Sequence, residues 1–535
     1  MFTLVRQRTA YALAAFLAAS GAFLPVPATA QITAFKQAVA EAAASNDGVA
    51  TYYREANYEP IWTGEGDVYR ARRAALIDAL SRADLHGLPS GIYRVDELMR
   101  QMEEARTVRD LGMVEAALSN VFISYANDLQ SGLLTPARID SGLVRQVERR
   151  PAEDYLSEFA GANPGGYLAA LVPNSTQYKA LLKQKVTLER LLNAGGWGEA
   201  VPVTKLEPGD TGPAVLALRN RLVAMEYMKP TASGRFDDAL RAGVLAFQTD
   251  HGLEADGVAG KGTITELNKS VADRLKSVVV AMERERWLPQ ERGGRHILVN
   301  QTDFSAKIVD QGRISFETRA VIGKNVHDRR SPEFSDQMEH MVINPSWYVP
   351  RSIITKEYLP KLAANPNAVS HLEITDRRGR RVNRGAVDFS QFSARSFPFA
   401  MRQPPGKRNA LGLVKFMFPN KYNIYLHDTP QKSLFSREVR AFSHGCIRLA
   451  DPFDFAYALL ARQEENPKAF FHRMLNTGKE TKVVLDQPVP VHLIYRTAFI
   501  GPRGAVQYRR DVYGRDKKIW EALNKAGVAL PAVQG

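Results

Sequence analysis

The chain has 535 residues, of which 45% are hydrophobic and 24% charged, with a formal net charge of +14 and one cysteine, Cys446. At about 150 residues per domain this is three or four globular domains, and a single thiol excludes any internal disulfide framework. The basic excess points to an acidic partner such as nucleic acid, an anionic membrane or a cell-wall polymer, but no nucleic-acid motif accompanies it, and a generally solvated basic surface reads equally well.

Residues 1–30 read as an export signal. Arg6 and Arg8 form its charged start, Tyr11 to Leu24 its apolar run, and Ala28-Thr29-Ala30 a small-residue cleavage site, so the mature chain is expected to begin at Gln31. The apolar run falls short of the ~20 residues of a membrane span, although an uncleaved anchor is the alternative. No other long apolar segment exists, so no membrane span is expected in the mature chain.

Residues 31–200 read as helical. Phe35 to Ala44, Ala71 to Leu85 and Asp110 to Leu129 carry apolar residues near helical spacing, and His86-Gly87-Leu88-Pro89 stops the second. Tyr52, Tyr53, Tyr58 and Trp62 read as packing. Residues 205–268 form a separate small module of turns and three short helices. Its first helix carries Val215, Leu218, Leu222 and Met225, and its second Val244 and Phe247-Gln248. Leu218 and Phe247 are expected in its core. Residues 269–294 read as a linker helix, Val271 to Trp287, stopped by Pro289 and Gly293-Gly294.

From Ile297 the apolar period changes to that of strands. Ile297 to Val299 and Ala306 to Val309 read as a hairpin, with strands at Thr318 to Ile322, Val414 to Phe418 and Ile424 to Leu426. A helix is expected near Asp454 to Arg462. Residues 351–406 form an insertion, polar and basic around Arg377, Arg378, Arg380, Arg381 and Arg384. So long a connection reads either as a functional lid or as a solvated face. Residues 487–535 form an extension expected to be ordered to about Arg515 and packed on the preceding domain, with a strand at Val491 to Tyr495.

The chemistry concentrates in Ser443-His444-Gly445-Cys446-Ile447-Arg448 and in His427-Asp428-Thr429 upstream. A free thiol is mostly protonated at neutral pH, and an imidazole can take its proton and return it to a leaving amine. Gly445 lets backbone amides approach a reacting carbonyl, and Arg448 offers a planar fork for a carboxylate. The scattered histidines lack the spacing of a zinc site, so no metal or other cofactor is expected.

These two motifs together resemble the signature of the L,D-transpeptidases of bacterial cell walls. The module, with Leu206-Glu207-Pro208-Gly209-Asp210, Phe236-Asp237, Ala246-Phe247-Gln248 and Asp256-Gly257-Val258, resembles the three-helix peptidoglycan-binding domain, which either holds glycan or only docks. The resemblance implies a multidomain α+β fold: a helical scaffold, the binding module, and a mostly β catalytic domain over residues 295–486 with the insertion as a capping subdomain. It implies that Cys446 attacks a tetrapeptide stem, releasing D-alanine, and that the thioester passes to an amine of a second stem to give a 3→3 cross-link. Water, a protein lysine, or a non-catalytic wall-binding role are the alternatives. His427 is then the base, oriented by the carbonyl of Asp428, whose own carboxylate could add charge near the site. His444 shapes the cysteine turn and pocket. Ser443 and Arg448 hold the donor stem, and Tyr425 and Trp347 line its pocket. Carbapenems are expected to acylate Cys446. Peptidoglycan stems and glycan are the partners, and nucleic acid is not.

Overall fold

Residues 28–289, 291–501 and 504–531 are described in the computed structural model of the chain. The expected export signal lies outside them up to residue 27, and helix Ala28–Ala43 begins on the Ala28-Thr29-Ala30 triplet. The helical N-terminal region is organised by helix Val108–Ser131. Thr107 and Asp110 cap it reciprocally, the threonine hydroxyl accepting from Asp110 N at 3.1 Å and the carboxylate from Thr107 N at 2.8 Å. Its apolar face, with Leu118, Phe122 and Leu129, is buried against the surrounding helices. Tyr53 and Trp62 pack here as expected. Both meet the buried Glu115, which accepts from Tyr53 OH at 2.6 Å, Ile61 N at 2.6 Å and Thr63 N at 2.8 Å. A carboxylate so deep is kept tolerable by donors and not by a cation, and it fixes the loop that carries Trp62.

The module folds on Pro213–Ala224, Asp238–Asp250 and Lys261–Leu267, with Leu218 and Phe247 fully buried as expected. It is fastened to the tail: His251 stacks between Phe247 and Tyr508, and Arg509 donates to Asp250 O at 2.8 Å.

The expected linker helix is instead a buried joint. Val271–Arg286 is sealed on nearly every side, because it lies between the scaffold, the tail and the sheet. Glu283 accepts from Leu134 N of the scaffold at 2.8 Å, while Arg284 pairs with Glu333 at 2.7 Å and Asp516 at 2.8 Å. The sequence shows only helical spacing here; the charges on its polar face meet buried partners far away in the chain.

Among the described residues fourteen strands follow: Arg295–Asn300 (β1), Ser305–Asp310 (β2), Arg313–Gly323 (β3), Phe334–Ile343 (β4), Trp347–Tyr348 (β5), Glu373–Thr375 (β6), Ala400–Gln403 (β7), Val414–Met417 (β8), Leu426–His427 (β9), Ala441–Ser443 (β10), Ile447–Leu449 (β11), Thr481–Ile494 (β12), Ala498–Ile500 (β13) and Val506–Tyr508 (β14). Nine of them make one sheet in the order β10-β3-β11-β9-β8-β4-β12-β1-β2. The long β3 pairs with β2 through its first half and with β11 through its second, which closes the sheet on itself around one apolar core. Helices Pro452–Leu460 and Pro467–Asn476 cover it; the first was expected, the second was not.

The boundary expected at residue 486 cuts strand β12. The boundary falls on a bulge between Val484 and Val489, which the strand absorbs before continuing to Ile494. The tail also runs past Arg515 into helix Arg515–Lys525. Arg515 is fully buried, donating to Glu333 at 3.1 Å and to Ser331 O at 2.9 Å beneath the rings of Tyr495 and Tyr513. The insertion is neither irregular nor wholly polar. Its strands β6 and β7 form a small sheet with β5, which precedes it, and it has a core of Leu359, Leu362, Ile374, Phe389 and Met401. Within its basic run Arg384 donates to Ala368 O at 2.8 Å and Val369 O at 3.1 Å, and Arg380 pairs with Asp376 at 2.8 Å, so two of the five arginines hold the insertion together.

The joint gives a stability test. Arg284→Met strips Glu333 and Asp516 of their shared cation, and breaking a buried pair this way costs about 3–5 kcal/mol. Chemical denaturation should register a loss of that order in the unit that holds β4 and the C-terminal helix. An unchanged midpoint would mean that the ion pairs carry no net stability.

Candidate active site

Strands β9 and β11 lie side by side and parallel, with Leu426 opposite Ile447 and His427 opposite Arg448. Side chains alternate along a strand, so this register sorts the residues by face. Leu426, Ile447 and Leu449 point into the core. Tyr425, His427, Cys446 and Arg448 line a cleft of about 1370 Å³, whose far wall is the insertion. The sequence places these four on two separate stretches; the parallel pairing brings them together.

The cysteine turn is held from within and behind. Ser443 Oγ donates to Cys446 O at 2.5 Å and accepts from Gly445 N at 3.1 Å. Its hydroxyl proton is therefore engaged inside the turn, while the residue still borders the cleft. Ser331 Oγ donates to Gly445 O at 2.6 Å; Tyr513 OH donates to Gly323 O at 2.6 Å and accepts from Ser331 N at 3.2 Å. Gly445 sits at φ +119, and a Cβ there would stand 3.2 Å from Ile424 Cδ1, so both conformation and space call for glycine.

His427 is buried, and its Nδ1 lies 2.5 Å from Asp428 O. A carbonyl can only accept, so Nδ1 carries the proton and Nε2 is the basic nitrogen. Burial pushes the imidazole down to about 3, helped by the charges of Arg448 and Lys415 and opposed by the Asp428 carbonyl. Burial likewise pushes the Cys446 thiol up to about 11, against the hydrogen bond of Tyr425 and the charge of Arg448. In the resting site both groups are therefore neutral, and no thiolate–imidazolium pair is preformed.

The Asp428 carboxylate does not add charge beside the imidazole. It turns away to accept from Leu413 N at 2.9 Å, Thr429 N at 2.7 Å and Lys432 Nζ at 2.8 Å, because Gly412 leaves no side chain to block it. Arg448 donates through Nη1 to Gln431 at 2.6 Å, while its buried Nε has no protein partner among the described residues. The fork is half used. Tyr425 is in hydrogen-bonding reach of both Cys446 and Trp347, and Trp347 bridges the cleft and the core of the insertion. His444 Nε2 lies 2.7 Å from Glu357 of the insertion. Glu357 sits in a π-helical turn, Ile354–Tyr358, just before Pro360, which cannot donate to a regular helix. Sequence reading missed Glu357, Gln431 and Ser331. Each is a common residue type in a stretch with no motif of its own.

A family model described as the L,D-transpeptidase catalytic domain matches residues 294–485. The chain carries an L,D-transpeptidase catalytic domain. A scaffold-domain model matches residues 47–184, and one described as “Putative peptidoglycan binding domain” matches residues 211–267. A Haemophilus influenzae protein named “Putative L,D-transpeptidase” is 32% identical over 251 residues, 45% of this chain and 50% of that protein. The chain thus spans about half the length of the curated relative it matches. Solved L,D-transpeptidases of Xylanimonas cellulosilytica and Stackebrandtia nassauensis align over 55% of this chain and over 100% and 97% of theirs, at 16% and 15% identity and TM-scores of 0.17 and 0.21. Scores so low carry no argument about the fold. The stretch that matches the catalytic family includes both motifs but stops inside β12, before Tyr513 and Arg515.

The resting protonation state is testable. The folded thiol is raised to about 11, so the reactive thiolate grows as pH rises. Alkylation of Cys446 by iodoacetamide in the full chain should climb steadily from pH 7 to beyond pH 9. A plateau reached below pH 7 would instead reveal a preformed thiolate–imidazolium pair.

Proposed function

We propose that the protein is a peptidoglycan L,D-transpeptidase working by a cysteine thioester. Cys446 is the nucleophile, and His427 takes its proton through Nε2 and returns it to the leaving D-alanine. The Asp428 carbonyl fixes the tautomer that makes this possible. The Gly445 amide is taken up by Ser443 Oγ, so the Cys446 amide is the one assigned to a developing oxyanion. Arg448, with unused hydrogen-bonding capacity, takes a carboxylate of the donor stem, between Tyr425 and Trp347. The acyl group then passes to an amine of a second stem, forming a 3→3 cross-link.

The observation that supports this most is the register of β9 against β11, which brings the chain's one thiol and a buried, tautomer-fixed imidazole to the same cleft. The insertion is the lid that keeps water from the thioester. Ion pairs Lys356–Asp328 and Arg329–Glu357, at 2.5 and 2.8 Å, lay it against the loop between β3 and β4. Hydrolysis of the thioester or transfer to a protein lysine would use the same first step, and the acceptor decides among them. The module serves to bring the sheet to its polymer, and the protein acts outside the cytoplasm after export. No helix among the described residues is long and apolar enough to cross a membrane.

Intact-protein mass spectrometry beside a stem-peptide assay tests the assignment. Cys446→Ala should lose both the carbapenem adduct and cross-linking. His427→Ala should slow acylation by roughly 10²–10⁴-fold, the contribution of a positioned acid–base. Arg448→Lys should keep the adduct but weaken stem turnover, because lysine has the charge without the fork. An adduct in Cys446→Ala, or full activity in His427→Ala, would overturn the roles given to these residues.

A further inference from the structure

Two imidazoles border the cysteine turn, and the first half of the reaction uses only one. His444 differs from His427 in each respect that matters for a second substrate. Its side chain is 37% exposed, where His427 is only 4% exposed. Its Nε2 faces the Glu357 carboxylate at 2.7 Å, and an ionised carboxylate only accepts, so Nε2 carries the proton. Nδ1 is then the basic nitrogen, with no hydrogen-bond partner among the described residues. Arg329 grips the same oxygen of Glu357 at 2.8 Å and fixes the carboxylate in place. His444 also stands on the wall between the main cleft and a smaller cavity of about 380 Å³ behind the turn. The other charged groups around it are Asp328 and Arg330 beside the turn, and Asp140, Arg515 and Lys518 across the smaller cavity.

We infer that His444, oriented by Glu357 of the lid, is the proton acceptor for the incoming amine. This rests on the thioester reading above. A primary alkylamine has a pKa of about 10.4, so at neutral pH it arrives as an ammonium ion with no lone pair to attack with. His444 Nδ1 takes one proton. The freed nitrogen attacks the thioester carbonyl, the C–N bond forms and the C–S bond breaks. A second nitrogen proton passes through His427 Nε2 to Cys446 Sγ. In sum, ammonium and thioester give amide, thiol and one proton, which leaves from His444 to solvent. Water needs no such first deprotonation, so the His444–Glu357 pair favours transfer over hydrolysis. Because Glu357 belongs to the insertion, the pair is complete only while the lid is down. Glu357 is thus a positioning residue and His444 a catalytic one.

The test loads the full-length protein to its thioester with a disaccharide tetrapeptide and then chases it at pH 7. One chase uses Nα-acetyl-lysine, whose side chain is an ammonium ion; the other uses hydroxylamine, which is already neutral. His444→Gln should slow the lysine chase by about 10²-fold and the hydroxylamine chase by less than about threefold. Glu357→Ala should slow the lysine chase by about tenfold, with partial recovery in Glu357→Asp. Equal slowing of both nucleophiles would reduce His444 to a structural role and overturn the inference, as would a lysine chase unchanged in both variants. If His444→Gln does not load, Glu357→Ala decides alone, because its side chain touches neither the sulfur nor His427. A parent protein that forms no thioester would instead sink the reading of Cys446.

Discussion

The parallel register of β9 and β11 is the constraint on which the site depends. Alternation along two short strands sends Leu426 and Ile447 down and Tyr425, His427, Cys446 and Arg448 up. A slip of one residue would reverse the faces, burying an arginine in the apolar core and lifting leucine and isoleucine into the cleft. The penalty for that exchange secures the active-site geometry, so the closed core beneath the cleft is a condition of its chemistry as well as of stability. It also explains the neutral thiol and imidazole: the packing that sets their positions withdraws both from water.

The domains are joined by charge as much as by apolar contact. Glu333 takes Arg284 from the joint helix on one oxygen and Arg515 from the tail on the other. Asp516 takes Arg284 from its far side. Such pairs offset their desolvation only when every partner is in place, which fixes the approach of the three elements more sharply than apolar packing could. The insertion, by contrast, is held to the loop between β3 and β4 by partly exposed pairs, Lys356–Asp328 and Arg329–Glu357. Pairs of that kind contribute little each.

Much of this was legible in the sequence because it is local. The module showed itself through turn glycines and helical spacing, and the cysteine turn through consecutive residues. What escaped was long-range. Arg284 and Glu283 look like the solvated face of a linker until Glu333, Asp516 and Leu134 are brought to them. The boundary expected at residue 486 falls inside a strand because a bulge in mid-strand has the same residues as a loop. The bonds that the Ser443 hydroxyl makes within its own turn are not visible in the run of residues around it. The Asp428 carboxylate turned away for want of a side chain at Gly412, a position that no reading of the His427 motif would consult.

The tail has a consequence for timing. The turn bearing Cys446 leans on Ser331, which in turn meets Tyr513, and beside it Arg515 binds Ser331 O and Glu333. Tyr513 and Arg515 follow Cys446 by more than sixty residues. A chain emerging amino end first presents the motif well before it presents its supports. The backing of the Cys446 turn is thus complete only once Tyr513 and Arg515 are in place. A polypeptide cut short after β12 would keep both motifs and lose the backing that holds them in line.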